Sequence, residues 1–312
     1  MTGTLSIPLS ALELSAAVRA ARPYDAARLD RVLRVDEHCG LIEVQAATRW
    51  KAIAARLLPG DARAARIGSA MPTVGESLAC NAAGPDGRPA VVHVESMMLV
   101  MPGGELLRVS RDAHRELFAL AAGGQGVFGA LYSVTLHTGS LVLALNEAVG
   151  AEILAAPQTR AASRPLRLLL PPERLAPFLA EARAHCSEWR MPLAGVRVRH
   201  TREENDTFLR WAQRDYAAAS LSIAEPPALG AAVRATQLRR ELIDAAIACG
   251  GSFPLYCTPE ATRSQAEACY PQLRAFLAEK RRVDPAERLV NGWYRHFRGL
   301  FARPSCEPRW AS

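Results

Sequence analysis

IGSAMPTVGESLACNAAG, Ile67 to Gly84, is the stretch on which the rest of the chain turns. Thr73-Val74-Gly75 ends an irregular segment, and Ser77 to Gly84 then follows, built almost entirely of small side chains. Such a run lets a backbone lie close against something flat or bulky, with its N–H groups free to point at it. A second cluster, Gly123-Gly124-Gln125-Gly126-Val127-Phe128-Gly129, sits between an apolar helix-like stretch and a strand from Ala130 to Leu136. Either cluster alone is an ordinary turn signal. Together they suggest two walls of a cofactor slot.

These residues carry a resemblance. TVGESLACNAAG resembles the TVGG-x-x-x-x-x-x-HG segment of FAD-linked oxidases with the PCMH-type flavin fold, the vanillyl-alcohol-oxidase family. LFALAAGGQGVFGALYSVTL, Leu117 to Leu136, is similar to that family's LF-x-x-x-GG-x-G-x-FG segment and the strand after it. CYPQLRAFLAEKRRVDPAERLVNGWYRHF, Cys269 to Phe297, resembles its carboxy-terminal segment. The order and spacing of these three make the match specific, and the chain resembles most the branch containing the prenylphosphoryl-ribose (decaprenylphosphoryl-ribose) oxidases. The resemblance implies an α+β fold in three parts. Residues 1–138 would form a PCMH-type FAD-binding lobe with its amino-terminal part truncated, 139–265 a smaller α+β substrate or cap domain, and 266–312 a carboxy-terminal segment returning to the FAD lobe.

At 312 residues the chain can bury a large core. Its net charge of +7 comes almost wholly from Arg spread beside Asp and Glu, with no basic run interleaved with aromatics. That pattern reads as a solvated surface and speaks against nucleic acid, while leaving room for a phosphate-bearing small ligand. Seven cysteines show no CxxC and no zinc spacing. The odd count and the absence of an export profile predict a reducing cytoplasm, and no apolar run is long enough to cross a bilayer.

Ser10 and Glu13 have capping-box spacing for a helix that Pro23 stops. In complete family members a similar helix leads to a strand and a Gly-rich loop that holds the FAD pyrophosphate. Here only Arg22 to Arg28 separates the helix from the next strand, Val32 to Asp36, too short a span for strand, loop and return. The pyrophosphate loop is missing. Arg31 to Glu37 and Leu41 to Ala46 read as a hairpin, and Thr48 as the cap of a helix over Arg49 to Leu58. Val91 to Met101 reads as a buried strand. Leu141 to Ser163 has no firm periodicity. Leu166 to Leu170 and Val196 to His200 read as strands, Ala231 to Cys249 as a long helix, and Glu260 to Arg282 as a single helix.

The resemblance implies FAD contacts at Gly68, Thr73, Val74, Gly75, Glu76, Cys80, Asn81, Ala82, Ala83, Gly124, Gly129, Ala130, Leu131 and Asn291. Glu76 stands where the family has a second Gly, and Ala83 where it has His. Candidate catalytic residues are Tyr256 and Cys257, near the family's flavin-facing pair, and His296. Each also has a bland reading. Cys257 is a nucleophile or an inert buried thiol, Tyr256 a proton donor or a packed ring, and His296 an acid–base group or a structural one. Glu76 is a general base or a solvated or Arg-paired carboxylate. Arg295 binds an anionic substrate or braces the last helix.

Two functions compete. One is an FAD-linked oxidoreductase that oxidises the CH–OH carbon of a sugar or polyol by hydride transfer to a non-covalent flavin. The other is a flavin-free homologue, acting as a partner subunit or as a non-redox binding or cyclising protein. The missing loop predicts that FAD binding is weak or lost unless a homo-oligomer or heteromeric partner chain completes the phosphate site.

Overall fold

The structure, a computed structural model, describes residues 5–61, 73–84, 86–147, 164–302 and the backbone of 152–155. Gly68 therefore lies outside the described residues. Helix α1, Ala11–Arg19, begins where Ser10 Oγ accepts from Glu13 N. The Glu13 carboxylate reaches back one residue further than the sequence pattern implies, to Leu9 N at 2.8 Å. From α1 a short 3-10 turn, Ala26–Arg28, leads into strand β1, Val32–Asp36. No strand intervenes between helix and β1.

β1 pairs with β2, Leu41–Gln45, in the expected hairpin. With β3 (Val94–Val100), β4 (Leu106–Ser110) and β5 (Ala130–His137) they form a five-stranded sheet of order β1-β2-β5-β3-β4, every pair antiparallel. Three helices supply side chains to one face: α2 (Trp50–Leu57), α3 (Val74–Ala79) and α4 (Arg115–Ala121). Ile53, Val74, Leu78 and Phe118 meet Ile42, Met97, Val134 and Leu136 there. On another side of the sheet, Leu14 and Val18 of α1 pack with Val100 and Ala130. Thr48 does not cap α2. Arg49 holds the N-cap position without a side-chain bond, and Thr48 Oγ1 donates to Arg31 O instead, tying the approach to α2 to the residue before β1.

Helix α5, Thr138–Asn146, occupies the start of the stretch that lacked periodicity. A second antiparallel sheet follows, of order β6-β8-β9-β7, made of β6 (Glu152–Ala155), β7 (Leu166–Leu170), β8 (Leu193–Thr201) and β9 (Tyr216–Ile223). Helices α6 (Leu175–Glu188) and α7 (Ala231–Ala248) share its core. The expected helix over Glu260 to Arg282 is two helices, α8 (Arg263–Cys269) and α9 (Leu273–Val283). Pro271 explains the break: it offers no N–H and disfavours helical geometry at Tyr270, which sits at φ −135°, ψ 68°. Helix α10, Gly292–Ala302, ends the described chain.

The molecule is thus a mixed α+β protein with two antiparallel sheets. Its largest hydrophobic cluster joins Val127 and Phe128, ahead of β5, to the second sheet and to Tyr270, Phe276 and Phe297 of the carboxy-terminal helices. No helix among the described residues is long and apolar enough to cross a membrane.

Candidate functional site

The segments singled out in the sequence do meet. Asn291 Nδ2 donates to Gln125 O at 2.8 Å, and both Gln125 N and Nε2 donate to Ala79 O, at 2.8 and 2.9 Å. The end of α3, the second glycine cluster and the start of α10 are therefore fastened together. Cys80, Gln125, Trp211, Tyr256, Tyr270 and Trp293 line the slot between them. That slot is nearly full, with a volume of about 10 Å³. A space of this size holds about one water molecule. The aromatic rings that fill it are pinned: Trp211 Nε1 donates to Asn81 O (2.9 Å), Trp293 Nε1 to Leu255 O (3.2 Å), and the Tyr270 hydroxyl to Phe253 O.

The backbone groups expected to face a cofactor are engaged within the protein. Thr73 and Glu76 form a reciprocal capping box at the start of α3, with Thr73 N donating to Glu76 Oε2 (2.9 Å) and Glu76 N to Thr73 Oγ1 (3.2 Å). Val74 N donates to Thr48 O and Gly75 N to Ala46 O, at 2.9 and 2.7 Å. A Cβ on Gly75 would stand 2.9 Å from that Ala46 oxygen, so glycine is required by the chain after β2. Gly124 is required in the same way by Leu120 O, 2.0 Å from its imaginary Cβ. Gly129 backs onto Leu99, while Ala130 and Leu131 pair with Val100 and Leu99 in the sheet.

Asn81 is buried at a left-handed φ of 49° and is fully occupied. Its Oδ1 accepts from Val91 N (3.0 Å), and its Nδ2 donates to the buried carboxylate of Glu204 (3.3 Å). Glu204, which the sequence reading missed, also accepts from Asp206 N and Thr207 N at 2.7 and 3.0 Å. A Glu two and three residues before two N–H groups is a local turn pattern, but its long-range bond to Asn81 leaves no sequence signature. Ala82 and Ala83 line a different cavity, beside Trp50 and His93.

Of the candidate catalytic groups Tyr256, Cys257 and His296, Tyr256 lines the slot, beside the expected cofactor contact Cys80. The Tyr256 hydroxyl accepts from Arg167 Nη1 at 3.1 Å, and burial raises its pKa well above the ordinary phenol value. Burial likewise raises the Cys257 thiol, whose Sγ contacts Pro254 O at 3.7 Å. Cys80 is pushed up to about 11, again mainly by burial. Neither thiol is a thiolate at neutral pH, so neither is an activated nucleophile. His296 stands exposed on α10, its ring edge-on to Phe297 at 5.0 Å, and does not line the slot.

Gln125 and Asn291 also border a second, far larger space. This cleft of about 530 Å³ lies between Arg22 and Tyr24, in the short connection from α1 to β1, and Arg288 and Arg295. Its lining contains three arginines and no acidic side chain. Arg288 is held by its bond to Pro102 O at 2.9 Å, while Arg22 and Arg295 are exposed. The sequence offered Arg295 as an anion ligand; its convergence with Arg22, far away in the chain, carries no local sequence signature. In comparisons with known proteins, no family model matches this chain and no curated protein is significantly similar to it.

Proposed function

We propose that this chain is a flavin-free protein of the PCMH type that binds a phosphate-bearing small molecule in the arginine cleft, as a non-redox binding or partner protein. The carrying observation is that cleft: Arg22, Arg288 and Arg295 surround about 530 Å³ with no acidic group in the lining. The neighbouring slot, where a flavin ring belongs by resemblance, has room for about one water molecule. A reducing, cytoplasmic setting is part of the proposal, supported by the six described cysteines being free thiols.

Each charge-assisted Arg–phosphate bond is worth about 1.5–3 kcal/mol. Two or three of them, about 3–9 kcal/mol in all, correspond to dissociation constants from about 6 mM down to about 0.3 μM. Calorimetric titration with inorganic pyrophosphate at low salt tests this. We expect saturable binding that weakens about tenfold in each of Arg22→Gln and Arg295→Gln. Absence of saturable heat, or unchanged affinity in both variants, overturns it.

The second reading is the FAD-linked oxidoreductase acting on an alcohol carbon, with non-covalent FAD and a phosphate site completed by another chain. The Asn291–Gln125–Ala79 fastening favours it, because it brings together the two glycine walls and the carboxy-terminal segment that the resemblance places at one site. A visible spectrum of the purified protein, with FAD added, discriminates: submicromolar FAD binding by the monomer would establish the redox reading and remove the first.

A further inference from the structure

Among the described residues, Arg22 and Arg295 of the large cleft make no ion pair, and Arg288 donates to a neutral carbonyl, Pro102 O, at 2.9 Å. The guanidinium groups that line the cleft therefore have no carboxylate to neutralise them. The carboxylates near them in the chain are engaged elsewhere. Asp25 Oδ1 accepts from Ala27 N at 2.9 Å. Asp284 holds Lys280 and the N–H groups of Arg288 and Leu289, while Glu287 accepts from Arg298 and from the Tyr294 hydroxyl. None of these carboxylates lines the cleft.

The other polar groups of the lining add donors and no negative charge. The half-buried Tyr24 ring packs against the cluster of Leu14 and Leu289, and its hydroxyl has no hydrogen-bond partner among the described residues. Burial pushes its pKa up to about 12, so it stays a neutral phenol. Gly126, at a left-handed φ of 71°, has no acceptor for its N–H among those residues, and a Cβ built on it would meet nothing within 4 Å. No histidine or cysteine belongs to the lining, and His296, next to Arg295 on α10, stands edge-on to Phe297. Because Arg does not deprotonate in proteins, the positive charge of the site is constant between about pH 5 and pH 8.

We infer, on the reading of the cleft as a phosphate site, that it selects a dianion: its ligand ends in a phosphate monoester, not a phosphodiester. The reason is Coulombic, since fixed cations attract a dianion about twice as strongly as a monoanion. A monoester takes its second charge near about pH 6, whereas a diester stays singly charged. The rest of the cleft, about 530 Å³ in all, is of the size that holds the organic part of a small ligand.

Calorimetric titrations of the full chain at low salt, at about pH 7.5 and about pH 5, with methyl phosphate, dimethyl phosphate and sulfate, test this, with inorganic pyrophosphate as the reference anion. Methyl phosphate should bind about tenfold tighter than dimethyl phosphate at the higher pH, and weaken about tenfold at the lower one as it loses its second charge. Sulfate, a dianion throughout, should bind equally at both. Combining Arg22→Gln with Arg295→Gln, two exposed positions, should remove most of the preference for methyl phosphate, with circular dichroism confirming the fold. If methyl and dimethyl phosphate bind alike while pyrophosphate still binds, the inference is overturned and the cleft remains an anion site. Sulfate binding that also weakens at the lower pH, or a preference that persists in the folded double variant, overturns it as well. If no anion binds, pyrophosphate included, the phosphate reading itself falls and this inference falls with it.

Discussion

Asn81, an expected cofactor contact, is tied into the fold through both ends of its amide. It sits at φ 49°, where a residue with a side chain costs about 1–2 kcal/mol. Its amide offsets that cost by satisfying Val91 N and bridging to Glu204. Asn81→Ala should therefore lose about 2–4 kcal/mol, most of it from the stranded Val91 N–H. Urea denaturation checks this, and a loss below about 1 kcal/mol would mean that the bridge is incidental. Lys280 and Asp284 pose a related problem, as a fully buried ion pair at the end of α9. Burial alone would raise the Asp284 carboxyl. The Lys280 ammonium and the N–H groups of Leu289 and Arg288 outweigh it and hold the group below the usual carboxylate range. Because the folded pKa is depressed, this stabilisation is present above the unfolded value of about 3.9 and is lost as pH falls through the lower folded value. Lys280→Met should cost about 3–5 kcal/mol near neutrality by leaving the carboxylate without its cation. It should also move the acid loss to higher pH, which denaturation curves at several pH values will show.

At the scale of elements, α3 shows a structural role that the sequence reading did not assign to its first turn. In the sequence Thr73-Val74-Gly75 reads as the end of an irregular segment, and Glu76, in the place of a family Gly, as a general base or a solvated or Arg-paired carboxylate. The same four residues spell a capping box, and Glu76 supplies its second half. Thr73→Ala should therefore destabilise the protein by about 0.5–2 kcal/mol, measured by thermal unfolding. Glu76→Gln should cost little, since an amide oxygen can still accept from Thr73 N. The hairpin, β7 and α7 were legible because alternation, turn residues and the Gly250-Gly251 stop are local signals. β9 was not, because Tyr216–Ile223 is mostly Ala and Ser, and its strand character comes from pairing with both β7 and β8. The α8–α9 break was legible in principle from Pro271, but the YP motif lay inside an otherwise helical pattern. The meeting of α3, Gln125 and Asn291 was readable only through resemblance, since main-chain acceptors such as Ala79 O carry no sequence mark.

For the whole molecule, the decisive fact is that one hydrophobic cluster crosses from the first sheet's approach through the second sheet to the carboxy-terminal helices. Phe276 is its keystone: fully buried, it meets Phe128 edge-on at 4.9 Å and Trp293 at 5.9 Å. Polar ties cross the same boundary. Arg111 grips Asp206 through two nitrogens, at 3.0 and 2.7 Å, and Phe208 N donates to Ala119 O at 2.8 Å. Two lobes joined by so much shared core cannot unfold separately without exposing it, which removes the usual reason for domains to melt in steps. We therefore expect a single cooperative transition, with tryptophan fluorescence, dominated at this boundary by Trp211 and Trp293, coinciding with loss of far-ultraviolet circular dichroism. Phe276→Ala should lower the whole transition by about 3–5 kcal/mol rather than splitting it, because the cavity it leaves is common to both lobes. Fluorescence that changes before the circular dichroism, in the wild type or in this variant, would show instead that the cap and the carboxy-terminal helices detach first.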